Sequence, residues 1–127
     1  MALVRVTLSD PNDEYDPFSL DLFVDPAGIL DDRIVTYGRW GKLKSDDIWP
    51  LIVRPNAGKG DTRLDFGFDS DLPTTDEERF AWTNICSKQI APGEFVSVRY
   101  DGDEICYRVT QVKELPSGED FRPTAPA

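Results

Sequence analysis

Asp10, Asn12, Asp13, Glu14 and Asp16 put five oxygen-bearing side chains into one short stretch. Oxygens at that density can hold a hard cation or attract a positively charged partner. Calcium takes six to eight oxygens. An EF-hand loop counted from Asp10 fails twice, because its sixth position is not glycine and its twelfth is Asp21 rather than Glu. No metal is therefore expected. Asp10, Asp13, Glu14 and Asp16 read as a solvated acidic loop or an electrostatic binding loop.

Other chemistries fare worse. The chain has no histidine and two cysteines, Cys86 and Cys106. A catalytic thiol would lack its usual base, so both cysteines read as free and mostly buried, or else as a bridge between Cys86 and Cys106. Residues 56–62 look superficially like a phosphate loop. They lack the four-residue spacing before the Gly-Lys pair, and Gly60 follows Lys59 where Ser or Thr belongs. Ser87 beside Lys88 gives no defined geometry. Two carboxylates at a fixed gap could hydrolyse a glycoside, but among 24 acids some pair always lies close. No catalytic residue and no cofactor is expected.

Aromatic residues offer contact chemistry instead. In the segment 37–42, Tyr37, Arg39 and Trp40 have the composition of an interface hot spot. Gly38 and Gly41 beside them suit strand curvature.

Charge narrows the partners. The net charge is -10. Residues 1–32 hold eight acids against Arg5, whereas residues 33–63 hold seven bases against Asp46, Asp47 and Asp61. This basic middle either pairs with its acidic flanks or forms a positive stripe on a negative protein. Phosphate binding needs clustered Lys and Arg, so nucleic acid is not expected, and anionic membranes are disfavoured likewise. A basic protein partner would suit the field. A homo-oligomer is also allowed. No apolar run approaches a membrane span. The first residues lack a basic, then apolar, leader. A cytoplasmic location is expected.

The elements that must position these residues are mostly strands. At 127 residues the chain is one domain on length. Residues 3–8 are rich in β-branched side chains and stop at Asp10-Pro11-Asn12. Residues 9–19 read as loop and 21–24 as a short strand. Asp25-Pro26-Ala27-Gly28 is a turn. Residues 33–43 predict a long strand with Ile34, Thr36, Gly38 and Trp40 on one face. Pro50 predicts an edge strand, or one starting at Leu51. Leu64, Phe66 and Phe68 alternate inward. Thr75 and Glu78 have capping-box spacing, which predicts a helix over 76–84. Asp101-Gly102 predicts a two-residue hairpin turn pairing Val98 with Ile105 and Val96 with Tyr107.

The expected fold is mainly β: a small antiparallel barrel or sandwich of six or seven strands with one short helix, or else an α+β domain. Residues 1–115 form the domain and 116–127 a flexible tail. The leading function is non-catalytic protein binding, of adaptor, inhibitor or immunity type, through an acidic surface. A structural subunit of a phage or secretion assembly comes second, and a small carboxylate hydrolase third.

Overall fold

The computed structural model describes residues 1–42, 48–58, 61–67 and 75–116. Eight strands follow one another: β1 (Ala2–Ser9), β2 (Phe18–Val24), β3 (Thr36–Trp40), β4 (Trp49–Gly58), β5 (Asp61–Asp65), β6 (Phe80–Thr83), β7 (Phe95–Tyr100) and β8 (Asp103–Glu114). They lie side by side in sequence order, and β8 returns to β1, closing a barrel. Every pairing is antiparallel.

Alternation explains the closure. In β1, Val4, Val6 and Leu8 are buried while Leu3, Arg5 and Thr7 are not; in β2, Phe18, Leu20, Leu22 and Val24 are buried. Ladder partners such as Val6 and Leu20 share a face. Repeated around the ring, this pattern sends Val53, Leu64, Ala81, Val96, Val98, Tyr107 and Val109 into one core. An eight-stranded barrel is just wide enough for side chains to fill it. On the outer wall, Arg5 forks onto Asp21, its direct ladder partner, at 2.8 and 3.1 Å. Thr110 is the extra residue where the β1–β8 register shifts, and its hydroxyl donates to the Thr7 carbonyl.

Several expectations change, and β2 already begins at Phe18, within the stretch read as loop. The strand count is eight, not six or seven, and closure replaces the sandwich. The helix contracts to one turn, α1 (Asp76–Arg79), after which residues 80–83 form β6. The Thr75 hydroxyl does accept the Glu78 amide, so the cap is real. The chain turns to strand because Phe80–Thr83 lies between two open ladders, β5 and β7. Pro50 sits within β4 of a closed barrel rather than on an edge. It pairs with Arg39 on β3, above the level where the β5 ladder begins at Ile52, so its missing N–H interrupts little. The predicted strand over 33–43 shortens to β3, and the structure settles which of its two faces turns inward: Thr36 is buried and Tyr37 exposed. Phe68 and the tail from residue 117 lie outside the described residues.

The last hairpin forms as the Asp-Gly turn requires. Asp101 and Gly102 take φ of 50° and 82°, and Val98 faces Ile105 while Val96 faces Tyr107.

Candidate functional site

In an up-and-down barrel, alternate connections share an end. The connections after β1, β3, β5 and β7 meet at one end, which among the described residues therefore receives 10–17, 41–42, 48, 66–67, 75–79 and 101–102. The loop carrying Asp10, Asp13, Glu14 and Asp16 is one of the four.

Aromatic side chains close this end. Phe18 packs edge-on to Tyr107 at 5.2 Å between centroids, and lies 6.4 Å from both Trp40 and Phe66. Phe66 in turn meets Tyr100 at 5.6 Å. Their polar tips tie the connections down. The Asp16 carbonyl accepts from both Trp40 Nε1 and the Tyr107 hydroxyl at 3.0 Å. Trp49 Nε1 donates to the Phe66 carbonyl at 2.7 Å, and the Tyr100 hydroxyl to the Glu78 carbonyl at 3.0 Å. Each bond gives an indole N–H or phenol hydroxyl its partner and fixes a loop to a strand it does not adjoin in sequence.

The acidic loop is shaped by one of its own members. The Asp10 carboxylate accepts the amides of Asn12, Glu14 and Tyr15 at 3.0–3.1 Å. These bonds, that from Asn12 foremost, hold its carboxyl below the usual range. Asp13 adopts a positive φ of 54°, a conformation Asp tolerates. Asp13 and Glu14 consequently stand exposed, while Asp16 is half-buried. Glu78, Asp101 and Asp103 add exposed carboxylates around the same end. Burial pushes the Tyr107 hydroxyl up to about 12, and the nearby charges of Asp10 and Asp16 push the same way. Burial likewise raises Tyr100, helped by Asp101 and Glu78. Exposed carboxylates thus stand beside aromatic rings at this end, with Tyr15, Trp49 and Tyr100 showing 40%, 44% and 36% of their surface.

The candidate residues therefore separate. Trp40 turns inward and joins Asp16 at the acidic end. Tyr37 and Arg39 point outward on the β3 wall, where Tyr37 is 70% exposed. Alternation alone forces this split. Tyr15, Trp49, Phe66, Tyr100 and Tyr107 were not among the candidates. Their common signal is position: each except Tyr15 stands in, or within a residue of, a strand stretch at the acidic end, which becomes visible only once the strand count is known.

The opposite end differs. Leu30, Ile85 and Ile90 plug it, and the bridge from Ile29 to Gln89 joins its connections. A groove of about 520 Å³ beside it is lined by Asp25, Asp31, Arg33, Asn56 and Cys86, among others. Its polar groups serve the fold: Asp25 accepts the Ala27 and Ile29 amides, and Asp31 takes a forked bond from Arg33. That fork holds the Asp31 carboxyl down at about 2. Cys106 is a free thiol exposed on the wall rather than buried, and Cys86 is half-buried. Among the described residues, no three His, Cys, Asp or Glu side chains gather as metal ligands would. No helix among them is long and apolar enough to cross a membrane.

No protein-family model, no curated protein and no solved structure matches this chain.

Proposed function

We propose that this barrel is a non-catalytic protein-binding module whose acidic end receives a basic segment of a partner. One observation carries the reading: exposed carboxylates and exposed aromatic faces are held together at one end by four bonds to three main-chain carbonyls, those of Asp16, Phe66 and Glu78. Carboxylates attract Lys and Arg, and aromatic faces take up cations at close range. A loop anchored at Asp10 and Asp16 arrives largely pre-ordered, which lowers the entropic cost of docking.

Two other features favour this reading. The groups with the clearest shifts among the carboxylates, Asp10, Asp31 and Asp65, are all held ionised. A carboxylate hydrolase needs one acid held protonated. The wall carries Arg5, Asp21, Arg39, Arg54, Arg63 and Glu104 outward, the reverse of a lipid-facing barrel surface.

Calorimetric titration with an Arg/Lys-rich peptide tests the proposal. Asp13→Asn with Glu14→Gln should weaken binding about tenfold. Asp32→Asn with Glu114→Gln removes the same charge from the other end of the barrel and should change affinity less than about twofold. Equal effects from both pairs would mean that only net charge matters and would overturn the assignment.

A further inference from the structure

The outer wall of β4–β7 holds an arrangement that the acidic end does not use. Arg54 and Arg63 are direct ladder partners on adjacent strands, and the ladder continues through Trp82 to Arg99. Like charges placed directly opposite destabilise a sheet. Most of their neighbours are compensated. Arg99 pairs with Asp61 at 2.6 Å, and Arg79 forks onto Asp65 at 3.0 and 3.1 Å. Arg63 lies over the Phe80 ring at 4.5 Å, which Arg79 also covers at 4.8 Å. Neither Arg54 nor Arg63 makes a hydrogen bond or ion pair to the described residues, and the Nε of each is buried without a partner. Two guanidinium groups without an ion-pair partner among the described residues therefore stand side by side on a protein of net charge -10, Arg63 eased only by the Phe80 ring and the nearby Asp65 charge.

We propose that the Arg54–Arg63 pair is the docking point for the acidic end of a second copy of this chain. The inference rests on the proposed binding role of that end and names its partner. Charge complementarity selects the occupant. Guanidinium groups take carboxylates in paired, directional bonds, and Asp13 and Glu14 are exposed carboxylates on an ordered loop. Within one copy, the Asp65 charge reaches Arg63, but both oxygens of that carboxylate are bonded to Arg79. A contact between one copy's end and another's wall is heterologous: every copy keeps one free end and one free wall, so association continues as an open chain or closes as a ring. The barrel has no free strand edge among its described strands, so charge rather than strand addition would drive such assembly.

Sedimentation velocity on the full chain reads this directly. At low salt the average mass should rise with concentration, and high salt should return it to the monomer. Arg54→Ala with Arg63→Ala should abolish the rise, as should Asp13→Asn with Glu14→Gln, while Arg39→Ala on the same wall should not. Mixing the two double variants gives the sharpest outcome. One retains its acidic end and the other its arginine wall, so the mixture should form dimers and stop there. Circular dichroism confirms that each variant folds.

A wild-type chain that stays monomeric throughout at low salt would overturn the proposal, as would association that survives loss of both arginines. If the monomeric chain still binds the Arg/Lys-rich peptide at its acidic end, only the identity of the partner falls. If that end binds nothing, the underlying function falls too. An arginine-dependent complex with a short single-stranded oligonucleotide, without self-association, would overturn the proposal and reassign the pair to phosphate.

Discussion

Tyr107 shows how one side chain serves both core and site. Its ring is buried within the barrel, and its hydroxyl holds the Asp16 carbonyl beneath the acidic loop. Removing that hydroxyl in Tyr107→Phe should cost about 1 kcal/mol near neutral pH. Its pH dependence is more telling. The folded state raises this hydroxyl from 10.0 to about 12, so the fold binds the proton more tightly than the unfolded chain does. The resulting stability is complete below pH 10 and is lost as pH climbs towards 12, roughly 2–3 kcal/mol in all. Denaturant titrations across this alkaline range should show the loss in the wild type and a much shallower slope in Tyr107→Phe. An unchanged slope would mean that Tyr107 does not titrate as its burial requires.

The contact between β2 and β3 is sensitive to a small change. Only three residue pairs join these strands: Phe18–Trp40, Ser19–Arg39 and Leu20–Gly38. Gly38 lets the strands approach closely. A Cβ added there would stand 2.7 Å from both Leu20 Cδ2 and the Ser19 carbonyl oxygen. The side chain could shift, but the backbone oxygen could not without disturbing the ladder. Gly38→Ala should therefore destabilise by about 1–3 kcal/mol, read as a lower urea midpoint with an unchanged slope. The glycine's role is close packing between strands, more specific than the curvature expected from composition. The element α1–β6 makes a complementary point. Thr75 caps a helical turn, yet the chain becomes strand at Phe80 because two neighbouring ladders supply more than continued helix could.

At the scale of the whole molecule, one core runs from the aromatic end to the plug of Leu30, Ile85 and Ile90. Leu20 is fully buried within it. Leu20→Ala should cost about 2–5 kcal/mol, depending on how far the barrel collapses around the gap. Because closure joins β8 to β1, no strand can leave without breaking two ladders. Tryptophan fluorescence and far-ultraviolet circular dichroism should therefore report a single coincident transition in the wild type and in this variant. Separated transitions would show that the ends unfold independently of the wall. Closure also sorts charge, because it assigns alternate acidic connections to one end and leaves the arginines of β4, β5 and β7 on one wall.

Local chemistry determined several features from the residues alone. Asp101-Gly102 specifies its hairpin because both positions accept positive φ, and the buried sets Val96, Val98 and Ile105, Tyr107 admit only a matching register. The Thr75–Glu78 cap was legible for the same reason, because it depends on neighbours within a few residues, whereas the alternation of β3 showed two sets of residues without showing which set turns inward. Tertiary structure alone decided that residues 80–83 are strand, that the barrel closes with eight strands, that Trp40 joins Asp16 while Tyr37 and Arg39 face outward, and that Arg54 meets Arg63. Each of these follows from pairings between residues distant in sequence, whose energy appears only when the strands are side by side.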